Sequence, residues 1–134
     1  MTRRRLLLMC CFVVALNLGC DNTTRPTVPA AGSWTGALTD SMVGSGTFQL
    51  VIENPSGTQL VGTWSASVAG QTMQGTASGS AVKTPNVLNV TCTGVGVGTL
   101  TFTVAGDRLT GTYFFIGPVR CLPLDQGSLD LARR

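Results

Sequence analysis

Histidine is absent from all 134 residues, which removes the side chain that most often serves as general base, triad partner and zinc ligand. Charge is scarce too: nine Lys and Arg with six Asp and Glu make up 11% of the chain. The few carboxylates are scattered. Asp40, Asp107 and Asp125 fall at expected turns, Glu53 and Asp130 on outward-facing positions, and Asp21 near the N-terminus. All six therefore read as solvated surface, and no acid–base pair is apparent. Cys92 and Cys121 lack two further ligands at a spacing suited to a metal, so no metal and no cofactor is expected. "GVGVG" at 94–98 has neither the lysine nor the following helix of a phosphate-cradling loop, and reads as a strand connection. With no nucleophile–base pair, the chain is expected not to be an enzyme.

The N-terminus is the first positive feature. Arg3, Arg4 and Arg5 precede the apolar run "LLLMCCFVVALNL" at 6–18, which ends at Gly19-Cys20. A basic start, an apolar core and a small residue before a cut describe a secretory signal over residues 1–19. The run is shorter than the ~20 residues that a spanning helix needs. Removing residues 1–19 takes three arginines from nine cations and leaves six, against six carboxylates. The net charge of the remainder is zero, so it has no basic footprint for nucleic acid. Residues 20–31, "CDNTTRPTVPAA", carry no apolar periodicity and read as a solvated tether ahead of a domain spanning 32–134.

Gly19-Cys20 at the end of that run resembles the lipobox of bacterial lipoproteins, although Asn17 and Leu18 differ from the preferred Leu and small residue. The resemblance implies that Cys20 becomes the first residue and carries diacylglycerol on its thiol. It also implies attachment to a membrane in the bacterial cell envelope, on the periplasmic or outer face. Each buried methylene of an acyl chain contributes roughly 0.8 kcal/mol, so two or three chains anchor firmly.

From residue 32 onward the apolar residues alternate with period two, the mark of half-buried strands. Phe48, Leu50 and Ile52 share one face; Thr47, Gln49, Val51 and Glu53 share the other. The alternation predicts strands at about 33–40, 46–54, 59–69, 72–82, 86–93, 98–105, 108–116 and 126–133. Gly70-Gln71 and Gly106-Asp107 suit two-residue hairpins. Consecutive hairpins make a meander, and eight strands can close into an antiparallel up-and-down barrel. An outer-membrane barrel would need an apolar outer face; the outward residues here are largely Thr, Ser and Gln.

One tripeptide recurs: glycine, small hydroxyl, apolar. It stands at Gly32-Ser33-Trp34, Gly46-Thr47-Phe48, Gly62-Thr63-Trp64, Gly75-Thr76-Ala77, Gly98-Thr99-Leu100, Gly111-Thr112-Tyr113 and Gly127-Ser128-Leu129. Each glycine has the parity of the apolar residue two places on, so Gly32, Gly62, Gly75, Gly111 and their equivalents face inward. An inward glycine lets a small barrel curve and leaves room for a neighbouring ring. The repeat is read as a device for closure.

In an up-and-down order Cys92 and Cys121 lie at one end of the barrel, and export makes a disulfide between them the expectation. Trp34 opens the first strand and Arg133 ends the last, so both belong at the opposite end, where a cation–π stack is expected. At these residues the chain resembles lipocalins, which open their first strand with Gly-x-Trp and pack an Arg from the last strand over the Trp. The Gly-Thr-Trp and Gly-Thr-Tyr strands are also similar to those of avidins, and the pattern as a whole to small bacterial lipoprotein domains. The resemblance implies a calycin-like shape.

Two readings of the rings stay open. Trp34, Phe48, Trp64, Phe102, Tyr113 and Phe115 either fill the core or line a cavity for a small hydrophobic molecule. The first makes the chain a structural or interaction module at the envelope; the second makes it a carrier.

Overall fold

The computed structural model describes residues 29–82, 85–92, 96–116, 121 and 123–134. The expected signal, Cys20 and the first part of the tether lie outside the described residues. Eight strands follow in order: β1 (Gly32–Asp40), β2 (Gly44–Glu53), β3 (Gln59–Val68), β4 (Gln71–Ser80), β5 (Asn86–Cys92), β6 (Gly96–Ala105), β7 (Arg108–Ile116) and β8 (Gln126–Arg133). Each pairs antiparallel with the next, and β8 returns to β1, so the sheet is a closed barrel. The alternation finds every strand to within two residues, because one face of each is buried and the other is wet.

The core is one cluster. It runs from Trp34 and Leu38 in β1, through Phe48, Leu50, Leu60 and Trp64, to Phe102, Leu109, Tyr113, Phe115 and Leu131. Fully burying a Leu or Phe side chain contributes roughly 1.5–3 kcal/mol, so this cluster is the main stabilising element. Outside it the described strands present Thr, Ser and Gln, with a few exposed apolar side chains such as Val97, Phe114 and Ile116.

The hairpins show one departure from expectation. The β3–β4 turn is Ala69-Gly70, one residue earlier than the sequence suggests, with both residues at positive φ (51° and 74°). Such a turn matches strand twist, but Ala69 adopts a left-handed conformation disfavoured for a residue with a Cβ. Gly106 opens the β6–β7 turn at φ 60° as expected.

The glycines do more than curve the wall. Five core aromatics each stand directly across from a glycine on a neighbouring strand. Phe48 faces Gly36, Trp64 faces Gly75, and Phe102 faces Gly111. Phe115 faces Gly98, and Tyr113 faces Gly127. The ring covers the bare backbone opposite, which is how sheets offset the weakness of glycine within a strand. Consecutive repeats thus interlock: the Trp of Gly62-Thr63-Trp64 lies over the glycine that begins the next repeat. A Cβ at Gly75 would overlap the Thr91 carbonyl oxygen and lie 2.8 Å from Trp64 Nε1. Only glycine fits there.

Candidate functional site

The inner aromatics meet one another. Phe48 stacks on Trp64 with centroids 5.6 Å apart, Trp64 meets Phe115 at 5.8 Å, and Phe115 meets Tyr113 at 6.0 Å. Offset and tilted pairs at these distances are favourable packing. Phe102 and Trp34, the other two expected lining residues, are each 1% exposed. The rings therefore belong to a packed interior. Trp64 also bridges the wall where it is thinnest. The β4–β5 ladder covers only Ala77–Gly79 against Leu88–Val90, and beyond it Trp64 Nε1 donates to the Thr91 carbonyl at 2.9 Å. The Thr76 and Thr91 hydroxyls, 2.6 Å apart, tie the same seam from outside.

At the end where β1 begins, Arg133 lies over Trp34 with its guanidinium carbon 4.3 Å from the ring centroid. The two are cross-strand partners in the β1–β8 ladder. Arg133 also donates to the carbonyls of Ala31 at 2.7 Å and Pro29 at 2.8 Å, while Trp34 Nε1 donates to Ala30 at 3.0 Å. The incoming chain is thus strapped across the barrel mouth. Gly32 sits beneath the guanidinium at φ 133°, where a Cβ would come within 2.6 Å of Arg133 Nη1. The positive φ favours glycine at this position, and a Cβ there would also have to displace the guanidinium tip.

At the opposite end Cys92 and Cys121 form a disulfide, with Cα atoms 5.5 Å apart and 29 residues between them in sequence. Beside it lies a feature that the sequence did not reveal. Asp40, expected in a solvated turn, is the last residue of β1 and is 3% exposed. Its Oδ1 accepts from the N–H of Met42 at 2.8 Å and of Val43 at 3.3 Å. Its Oδ2 accepts from the Tyr113 hydroxyl at 2.5 Å and the Asp125 N–H at 3.0 Å. Burial by itself would raise the Asp40 pKa, but the bonds from Tyr113, Met42, Asp125 and Val43 outweigh it and hold the carboxyl below 3.8. For Tyr113, burial first and then the bond to Asp40 push the phenol far above 10.0. Leu124, fully buried, and Cys121 bring the segment before β8 into the core, with Leu124 N–H donating to the Cys121 carbonyl at 2.8 Å. Aspartate before a turn is the only signal in the sequence, and it does not distinguish a wet carboxylate from a clasped one.

Asp130 and Asp107 are peripheral. Asp130 pairs with Arg108 at 2.5 Å and Asp107 with Arg133 at 3.2 Å, both largely exposed. Among the described residues no group of three His, Cys, Asp or Glu could hold a metal ion.

Two hollows open on the outer wall. One, of about 480 Å³, lies over Gly75 and Trp64 and is walled by Gln49, Val51, Thr63, Ser65, Gln74 and Thr76. The other, of about 550 Å³, lies over Gly127 between β7, β8 and β1. In each a glycine makes the floor, and an inner ring (Trp64 or Tyr113) lies beneath it. The closure device therefore leaves dents on the outside.

No known protein family matches the chain, and no curated protein does. Among solved structures, a de novo designed fluorescence-activating β-barrel is similar to it, with a TM-score of 0.60 over 78% of this chain and 93% of that one, at 14% identity. At that identity the likeness is one of fold: an eight-stranded antiparallel β-barrel built without ancestry in common.

Proposed function

We propose that the chain is an envelope lipoprotein whose barrel is a non-enzymatic structural or interaction module, held to the membrane through acyl chains on Cys20. The observation that carries this reading is the interior: one packed cluster, sealed at one end by Arg133 on Trp34 and at the other by Asp40 and the disulfide. A barrel filled with its own side chains offers partners its outside. The Cys92–Cys121 bond supports export, because cytosolic thiols are kept reduced. The chain enters at Pro29–Gly32, strapped to the Trp34 end, so a tether on that side leaves the disulfide end facing away from the bilayer.

The anchor is tested by growing expressing cells with radioactive fatty acid. Label should enter the protein and disappear in Cys20→Ala. Absence of label, or label that survives the substitution, ends the lipoprotein reading. The alternative, a carrier of a small hydrophobic molecule, requires Phe48, Trp64, Phe115 and Tyr113 to part and line a void.

A further inference from the structure

We propose that the hollow over Gly127 is a binding site for a neutral glycan. This deepens the proposed function and rests on its claim that the outer wall is the working face. The hollow is a small array built by register. Phe114 on β7 pairs with Gln126 on β8, whose carbonyl accepts the Ser41 N–H at 2.9 Å. One step along, Thr112 pairs with Ser128, and Ser128 with Thr39. Gly127 lies between these two rows and contributes no side chain, so the array forms a shallow, open hollow.

The chemistry of the rim is specific. Phe114 is 48% exposed, so about half of its ring surface is open to solvent at the edge of the hollow. The other five side chains are hydroxyls or an amide, able both to donate and to accept. Among the described residues none of the five side chains has a hydrogen-bond partner, whereas the hydroxyls of Thr76 and Thr91 or of Ser67 and Thr72 bond each other elsewhere on the wall. Of the residues that line the hollow only Asp40 is ionised, and it lies under the floor with both oxygens occupied. No Lys or Arg belongs to the rim, so nothing there offsets a phosphate, sulfate or carboxylate. A free aromatic face beside uncommitted hydroxyl and amide groups, without charge, matches a pyranose ring: apolar C–H groups on its face, hydroxyls around its edge.

The test is an NMR titration of the full chain, labelled with 15N and kept in a sugar-free detergent. The probes are β-1,4-linked hexasaccharides of glucose and of N-acetylglucosamine, with a sulfated glycan as the charged control. A neutral hexasaccharide should shift the amides of Ser41, Gln126 and Ser128 while those of core residues such as Leu100 stay in place. Phe114→Ala should weaken binding about tenfold and Phe114→Trp should retain it. Gln126→Ala, which leaves the ring, should weaken binding by a smaller factor. The proposal is overturned if neither neutral hexasaccharide shifts those amides at about 10 mM, a concentration that would register even millimolar affinity. It is equally overturned if binding survives both Phe114→Ala and Gln126→Ala, or if only the sulfated glycan binds. The titration is independent of acylation: an unlabelled Cys20 sinks the anchor, and a silent Phe114 face sinks the glycan site.

Discussion

The two ends of the barrel are shut by different physics. Where β1 begins, closure is a stack and a strap: Arg133 covers Trp34 and grips two carbonyls of the incoming chain. Where β1 ends, closure is a covalent bond and a buried carboxylate that gathers donors from three separate segments. The first end uses residues that lie in paired strands and so are placed by the ladder itself. The second must hold Cys121, Leu124 and Asp125 before β8, which lie outside the paired strands. Restraint of a connection takes a cross-link or a charge, because hydrogen bonds between neutral groups at a wet rim contribute about 1 kcal/mol each.

That contrast can be broken experimentally. The largest effect is expected at the disulfide. Cys92→Ser with Cys121→Ser should lower unfolding free energy in urea by up to about 3.6 kcal/mol, the chain-entropy value for a loop of this length. A loss below about 1 kcal/mol would mean that Asp40 and Leu124 hold the segment unaided. Gly75→Ala, in the wall that serves both ends, should cost about 3 kcal/mol by forcing the Thr91 carbonyl away, while leaving the disulfide formed. Its measurement is the same urea titration, and a shift within error would mean that the wall yields freely there.

Next comes Asp40. Asp40→Asn should cost about 2 kcal/mol, since an amide cannot accept from all four donors. The folded pKa is depressed, so its contribution is present in full above the ordinary value of 3.8 and is lost as pH falls through the lower folded value. Stability measured between pH 6 and pH 2 should therefore decline less steeply in the variant than in the parent. Tyr113 acts in the opposite direction: its contribution is complete below 10.0 and declines as pH rises above it. Equal acid slopes in parent and variant would remove Asp40 from the account.

Arg133→Met tests the other end. It keeps the aliphatic reach and removes the cation, and should cost about 1 kcal/mol. It should also release the incoming chain, read as faster amide exchange at Ala30 and Ala31 with no change near Cys121. The smallest effect is a gain. Ala69→Asn places a residue tolerant of left-handed geometry in the β3–β4 turn and should raise the unfolding free energy in urea by about 0.5 kcal/mol.

Much of this molecule could be read from its residues because strands have a strict period. Phe48, Leu50 and Ile52 cannot face inward without Thr47 and Gln49 facing out, and parity then fixes Trp34 against Arg133. Chain order in a meander likewise places Cys92 and Cys121 at a shared end. Asp40 escaped because its partners Met42, Val43 and Asp125 lie in connections that fold over the rim, where no periodicity governs, and only Tyr113 comes from a strand. The pairing of rings with glycines was hidden for another reason. The repeat displays Gly and ring two residues apart in one strand, whereas the contact lies between strands and needs the register. The outer hollows follow from that register and were equally invisible.

The account depends most on the interior being solid. Native mass spectrometry of the protein taken from cells, released gently from detergent, measures this directly. It should give the mass of the chain with its covalent lipid and nothing more. A stoichiometric apolar molecule that stays with the folded barrel and leaves on unfolding would contradict it.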